Sequence, residues 1–284
     1  MINDSELILN ADGSIYHLNL LPEDIADTIL FVGDPDRVGE VSRYFDSIEI
    51  TKGRREFITH TGTLRNKKIS VISTGIGTDN IDIVMNELDA LANIDFNTKS
   101  LKSDLKSLTI IRIGTSGSIQ GNLQIGTLLA SEYAIGFDAL MQYYVKPYTS
   151  DEEDLKREID SQFNSLSFKP YVGKASSVLL EKIAKDLPKG ITMTAPGFYA
   201  PQGRMLRSKN VYPDLIRTAN SFSWNSRKIT NLEMETAGIY ALSNMFGHHA
   251  ISINAILASR VKEEFAEKPA EIVDQAIRFV LDRL

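Results

Sequence analysis

Two arginines and a pair of carboxylates stand where their charges need an explanation. Arg112 interrupts an apolar run, Ile110-Ile111-Arg112-Ile113, which opens into Gly114-Thr115-Ser116-Gly117-Ser118. The pattern predicts a buried strand ending in a small-residue loop, through which backbone N–H groups and hydroxyls can approach an anion closely. A guanidinium at the end of a buried strand is costly without a negative partner. That partner is either a structural carboxylate or a bound phosphate. Arg37 follows the short apolar run Ile29–Val32 and the turn Gly33-Asp34-Pro35-Asp36. Asp34 suits a helix N-cap and Pro35 the first helical position. Arg37 then lies in the first turn, where its charge opposes the helix dipole. Either a bound anion or a salt bridge to Asp34 or Asp36 would offset that penalty.

The carboxylates are Glu233 and Glu235, within Asn231–Leu242, which reads as the start of a largely apolar, buried helix. Two residues apart, they point in different directions and do not form an acid/base pair on one face. Glu235 is expected to face a cleft and Glu233 to cap. Met234 between them suits either core or contact. Ala195–Arg204 carries two prolines and two glycines, so it is a loop, yet it holds Phe198, Tyr199, Gln202 and Arg204. A ring can cover a heterocycle while amide and guanidinium bond its polar edge. A surface loop anchored by Phe198 is the competing reading. His17, in the possible short strand Ser14–Leu18, reads by itself as a surface or capping residue before a chemical one. Gly75-Ile76-Gly77 lacks the third glycine of a dinucleotide loop and the lysine of a P-loop.

The elements that must position these groups alternate between strand and helix. Val38, Val41, Tyr44 and Phe45 recur at helical spacing after Asp34. A strand region begins at Arg54–Thr59, and another covers Lys68–Thr74. A helix over 78–93 places Ile81, Val84, Met85, Leu88 and Ala92 on one face. Residues 95–107 read as a surface loop, Gly126–Ala130 as a strand, and the acidic run Asp151–Asp154 as the solvated start of a surface helix. Ser176–Leu187 is an amphipathic helix, Ile191–Thr194 and Ala250–Ala258 are strands, and Glu271–Leu284 is a C-terminal helix. With no repeat or linker, this order predicts one α/β domain over residues 1–284, its mostly parallel sheet covered on both faces. The candidate residues follow strand ends, where ligand sites of such sheets lie.

Composition bounds the function. The 284 residues are 43% hydrophobic and 24% charged, an ordinary globular mixture long enough for a large core. Lys+Arg 31 against Asp+Glu 37 gives a net charge of −6, against a general nucleic-acid binder. A few arginines in a cleft can still dominate the field felt by a small anion. There is no cysteine, which excludes disulfides, thiol nucleophiles and Cys-ligated metals. The first basic side chain is Arg37, no apolar run approaches the roughly 20 residues of a membrane span, and a cytoplasmic location is expected.

Six motifs form an ordered set: GDPDR at 33–37, RREF at 54–57, STGIG at 73–77, RIGTSG at 112–117, FYAPQGR at 198–204 and LEMETAG at 232–238. In order and spacing, from His17 to Arg260, the set resembles the uridine phosphorylase branch of the nucleoside phosphorylase-I family. The resemblance implies a three-layer α/β/α fold around a mixed, partly closed central sheet. It implies reversible phosphorolysis of a nucleoside in pyrimidine salvage, with phosphate as co-substrate and no metal or organic cofactor in the chemistry. It allows a structural monovalent cation near Glu56. Residue by residue, it implies that Gly33, Arg37, Arg112 and Thr115 bind phosphate, with Arg55 reaching it from a neighbouring subunit. Thr115, Met234 and Glu235 would hold ribose, with His17 reaching it from the neighbour. Gly117, Phe198, Gln202, Arg204 and Arg260 would form the base site, and Arg37, Arg112, Glu235 and Arg204 would carry catalysis. A homo-oligomer with shared sites follows.

Base choice follows from the same residues. A purine phosphorylase of the family places an aspartate near Ser259-Arg260, and Ala255–Arg260 contains no carboxylate, which favours a pyrimidine. The alternatives are a purine nucleoside or methylthioadenosine phosphorylase, or a silent nucleoside-binding relative. Leu232 stands where the family often has tyrosine.

Overall fold

The computed structural model describes residues 2–284. Ten strands of four residues or more carry the architecture: β1 Thr28–Val32, β2 Ser47–Arg54, β3 Phe57–Leu64, β4 Lys67–Ser73, β5 Thr109–Ser118, β6 Leu128–Gly136, β7 Tyr171–Lys174, β8 Lys189–Thr194, β9 Arg227–Glu233 and β10 His249–Ser259. Among the described residues seven α-helices accompany them: α1 Pro35–Ser42, α2 Thr78–Asn93, α3 Ser150–Gln162, α4 Ser177–Ala184, α5 Leu215–Ser221, α6 Thr236–Phe246 and α7 Pro269–Leu281. The main sheet runs β9-β8-β6-β10-β5-β1-β4-β3-β2, with β7 on β6. An additional antiparallel pairing joins Asn231 and Leu232 of β9 to Ser118 and Gly117 of β5. It closes β9, β8, β6, β10 and β5 into a ring, from which β1, β4, β3 and β2 extend as an open sheet.

Alternation along the central strands separates two cores, because successive strand residues face opposite ways. Ile29 and Phe31 of β1 pack with α2 and α6, through Ile81, Met85, Leu88 and Tyr240. Leu30 and Val32 pack on the other face with α1, α4 and α7, through Val38, Val41, Ile183 and Ile277. A third cluster under α3 and α5 contains Phe137, Phe163, Phe222 and Trp224. The fold is the three-layer α/β/α sandwich with a mixed, partly closed sheet that the motif resemblance implies. The outermost strand β2 is largely exposed and carries Lys52 and Arg54, charges that discourage edge-to-edge pairing.

Several expectations need correction. The sheet is mixed rather than mostly parallel, because ring closure and the β2–β3–β4 meander both use antiparallel pairs. Gly114–Ser118 is not a loop: β5 continues to Ser118, paired with Asn254–Ser259 of β10 across a register shift between Ile256 and Ala258. Asn231–Glu233 is strand, and α6 starts at Thr236 with Glu235 at the N-cap position. Ser14–Leu18 forms no strand beyond one bridge between Ile15 and Leu9, because Asn10 and Asp12 side chains satisfy its backbone and hydroxyl groups. The Arg54–Thr59 stretch is broken by a turn at Arg55-Glu56, with Arg55 at φ 56°. The strand placed at Gly126–Ala130 runs instead from Leu128 to Gly136, since Gly126 is in a turn at φ 87°. The 95–107 loop contains a small hairpin of Ile94–Asp95 with Ser100–Leu101. In the acidic run, Glu152 is not solvated: it is buried, ion-paired with Lys146 at 2.8 Å and closes the Thr149 capping box. Helix α2 matches its expected bounds. Asp34 caps α1 by accepting the Asp36 N–H at 3.0 Å.

Candidate active site

A cavity of about 980 Å³ opens at the ends of β1, β5 and β9. Gly33, Asp34, Pro35 and Arg37 from the β1–α1 turn line it. So do Arg112, Thr115, Ser116 and Gly117 of β5, the 198–204 loop through Phe198, Gln202 and Arg204, and Leu232–Glu235 from the β9–α6 junction. The motifs that are far apart in sequence thus meet in one space.

Arg112 is buried and held on three sides. Its Nη2 is ion-paired with Glu235 Oε2 and lies 3.2 Å from Glu233 Oε2, while Nη1 donates to Asn254 Oδ1 at 3.2 Å. Burial works against its charge, but the neighbouring Glu233 and Glu235 carboxylates outweigh it and raise the guanidinium pKa. Of the two partners the sequence left open, the structure shows carboxylates. Gly114 makes this pose possible: the guanidinium lies across it, and a Cβ built there would overlap Nη1. The charge is therefore carried two residues along the strand, beside Thr115.

Glu233 and Glu235 divide the work. Glu233 accepts from the Thr194 hydroxyl at 2.6 Å, from the N–H groups of Glu235 and Thr236, and from the Thr236 hydroxyl at 2.9 Å. It caps α6 from the last position of β9, as the sequence reading expected. Glu235 faces the cavity and accepts the Gly77 N–H at 2.9 Å, Gly77 being in the left-handed region at φ 96°. Burial raises the Glu235 pKa, Arg112 opposes that, and the Glu233 charge adds to it.

Arg37 makes no ion pair among the described residues, and its Nε is buried without a hydrogen-bond partner. The salt bridge to Asp34 or Asp36 is absent. Burial, with repulsion from Arg112, lowers its pKa. A half-buried guanidinium with open donors beside a second one is an arrangement suited to an anion.

At the base-type end, the Arg204 guanidinium stacks 3.7 Å from the Phe198 ring centroid and donates to Gln202 Oε1 at 2.7 Å. Arg260 donates to the Gln202 carbonyl at 2.8 Å, and Gln202 is buried. Burial and the nearby Arg260 lower the Arg204 pKa, so these donors are poised toward added negative charge. Gly117 lies against Leu232, Ala258 and Arg260, where a Cβ would make only ordinary contacts.

Three expected residues do not line this cavity: Arg260, which stands behind Gln202, and His17 and Arg55. His17 is clamped to Glu87 on α2, by Nδ1 at 2.6 Å and by its backbone N–H at 3.0 Å. Arg55 is exposed in the β2–β3 turn. The His17 ring lies 6.5 Å, centroid to centroid, from that of Phe57, two residues after Arg55. Residues that the sequence reading missed are Gly114, Asn254, Asn80, Leu257 and Phe265. Glu56, considered only beside a cation, also lines the cavity. The Asn254 signal was present as a lone amide inside the apolar run of β10. Among the described residues, no three His, Cys, Asp or Glu side chains are grouped to hold a metal ion, and no helix is long and apolar enough to cross a membrane.

Comparison with known proteins fits this geometry. A family model described as the Phosphorylase superfamily matches residues 27–283. The chain is 30% identical over 281 residues to the uridine phosphorylase of Thermococcus kodakarensis, covering 95% of this chain and 88% of that one. It is 29% identical over 241 residues to the DeoD-type purine nucleoside phosphorylase of Clostridium perfringens, covering 84% and 85%. A crystal structure of a Trypanosoma brucei nucleoside phosphorylase, described as showing uridine phosphorylase activity, superposes with TM-score 0.89 at 29% identity, covering 98% and 99%.

Proposed function

The chain belongs to the phosphorylase superfamily, and from that membership and the make-up of its cavity we propose that it is a uridine phosphorylase. As a pentosyltransferase it converts uridine and phosphate reversibly to uracil and ribose 1-phosphate. One observation carries the reading: a single cavity holds a buried arginine, a half-buried arginine with no ion pair among the described residues, a buried carboxylate, and a guanidinium–amide pair beside an aromatic ring.

Phosphate is a sluggish nucleophile, so holding it in line with the reacting carbon supplies much of the catalysis. Arg37 and Arg112 give it charge-assisted bonds, with Gly33 and Thr115 completing the pocket. Glu235 accepts the ribose 2′ and 3′ hydroxyls, and Met234 and Thr115 pack against the sugar. The bond from ribose C1′ to uracil N1 breaks through an oxocarbenium-like state, by analogy with glycoside cleavage. A phosphate oxygen then bonds C1′ as the electron pair leaves with uracil. That negative charge spreads onto the carbonyl oxygens, where Arg204, set by Gln202 and Arg260, stabilises it. Phe198 covers the ring, and Gly117 lines the same pocket. Phosphate enters as co-substrate, and no covalent enzyme intermediate is needed.

Arg55 and His17 complete a neighbour's site in this reading, Arg55 at phosphate and His17 at the ribose 5′ end, so the active unit is at least a dimer. Absence of a carboxylate over Ala255–Arg260 supports a pyrimidine over a purine. The test is uridine, thymidine, inosine and adenosine, each with and without phosphate. Uridine cleavage that depends on phosphate is expected; faster cleavage of inosine would overturn the base assignment.

A further inference from the structure

The interior of the five-stranded ring is polar where it meets the cavity, and its hydrogen bonds form one continuous chain. Arg112 donates to Asn254 Oδ1, and Asn254 Nδ2 donates to Ser131 Oγ at 2.9 Å. Ser131 Oγ lies 2.5 Å from Thr192 Oγ1, which donates to Asn231 Oδ1 at 2.9 Å. Asn231 Nδ2 donates to Ser116 Oγ at 3.0 Å, and Ser116 lines the cavity. Asn254, Ser131, Thr192 and Asn231 are fully buried. They belong to β10, β6, β8 and β9, and the chain starts and ends on β5, so it touches every strand of the ring.

The donor direction is forced at the Arg112 end. Arg112 has only protons to offer, so Asn254 must turn its oxygen to Arg112 and its nitrogen to Ser131. The single Thr192 proton goes to Asn231, so Ser131 donates to Thr192. A ring core is ordinarily filled by aliphatic side chains, and a buried polar chain is tolerated only when every member is satisfied. This one is satisfied, and it runs from the ion-paired Arg112 guanidinium to Ser116 on the cavity wall.

We infer that Asn254 is a positioning residue for the phosphate site: its carbonyl oxygen fixes the Arg112 guanidinium over Gly114. Ser131, Thr192 and Asn231 lock the amide so that the oxygen, not the nitrogen, faces that guanidinium. The inference rests on Arg112 serving phosphate, as proposed above, and it gives this chain's ring interior a role in catalysis.

Phosphate binding is read by calorimetry, and initial rates are measured with phosphate and uridine varied separately. Asn254→Ala is expected to raise the phosphate Kd and KM by roughly tenfold or more, with the uridine KM shifting less than about threefold. Thr192 supplies a test without a cavity-wall change. Thr192→Val keeps shape and loses the hydroxyl, whereas Thr192→Ser keeps the hydroxyl and loses a methyl. The chain predicts weaker phosphate binding in the valine variant and near wild-type binding in the serine variant; a packing role predicts the reverse. If Asn254→Ala does not fold, the Thr192 pair decides. Unchanged phosphate affinity in Asn254→Ala, or the reversed Thr192 order, overturns the inference. A wild-type protein that binds phosphate but cleaves no nucleoside would defeat the proposed activity and leave the positioning inference to the calorimetry. A wild-type protein that does not bind phosphate overturns both.

Discussion

Arg112 and Glu235, 123 residues apart in sequence, form a buried ion pair on the cavity wall. In the proposed reaction each has another task, Arg112 to phosphate and Glu235 to the ribose hydroxyls. An anion arriving at Arg112 therefore competes with Glu235 for one guanidinium, and a shared charge links the two halves of the site.

Arg112→Ala is expected to lower kcat/KM for phosphate by roughly 10²–10³-fold, on the scale of a lost oxyanion donor. It also strands Glu233 and Glu235, and breaking a buried pair costs on the order of 3–5 kcal/mol of stability. Rates at saturating phosphate, with a denaturation curve on the same sample, separate the two effects. An unchanged kcat/KM for phosphate would refute the role.

Glu235 predicts a pH dependence with a definite sign. Its folded-state pKa is raised above the ordinary 4.5 by burial, against Arg112 and with Glu233. Between 4.5 and that raised value the folded state binds more protons than the unfolded one, so this contribution to stability is present below 4.5 and is lost as pH rises through the window. Activity runs the other way, because only the ionised carboxylate accepts both ribose hydroxyls. Stability measured against pH should lose this slope in Glu235→Gln, and the acid limb of kcat/KM for nucleoside should flatten. A wild-type acid limb that persists in the variant assigns it to another group.

Gly114→Ala places a methyl where the Arg112 guanidinium lies. Overpacking of this kind typically costs about 1–3 kcal/mol. Displacement of the guanidinium should raise the phosphate KM at least tenfold while leaving far-ultraviolet circular dichroism unchanged. Wild-type phosphate kinetics in this variant would show that the guanidinium has another productive pose.

The proposed reach of Arg55 into a neighbour's site predicts complementation. Arg55→Ala and Arg112→Ala subunits, each inactive alone, should regain part of the activity when mixed under conditions of subunit exchange. Demonstrated mixed oligomers without recovered activity would place Arg55 outside the neighbour's site.

The helices were largely legible because their signals are local. Asp34 and Pro35 announce α1, and the apolar spacing from Ile81 to Ala92 fixes α2. The short strands β1 and β4 were visible as apolar runs between polar turns. Two misreadings come from partners outside the element itself. Gly114–Ser118 has the composition of a loop and becomes strand only because β9 and β10, more than a hundred residues away, pair with it. Glu152 sits in a run of charges that reads as solvated and is buried by Lys146, which does not share its helix.

The sequence by itself determined the motif set, and with it the family, the types of charged and polar groups available, and the local caps. Only the tertiary structure decided which of them meet. That Arg112 is held by Glu235, Glu233 and Asn254 and that Gly114 must lack a side chain are facts of ring closure, and Arg37 has no carboxylate partner among the described residues. Buried polar groups must find partners, but those partners come from whichever strands the sheet brings alongside, a choice made by non-local pairing rather than by neighbours in the chain.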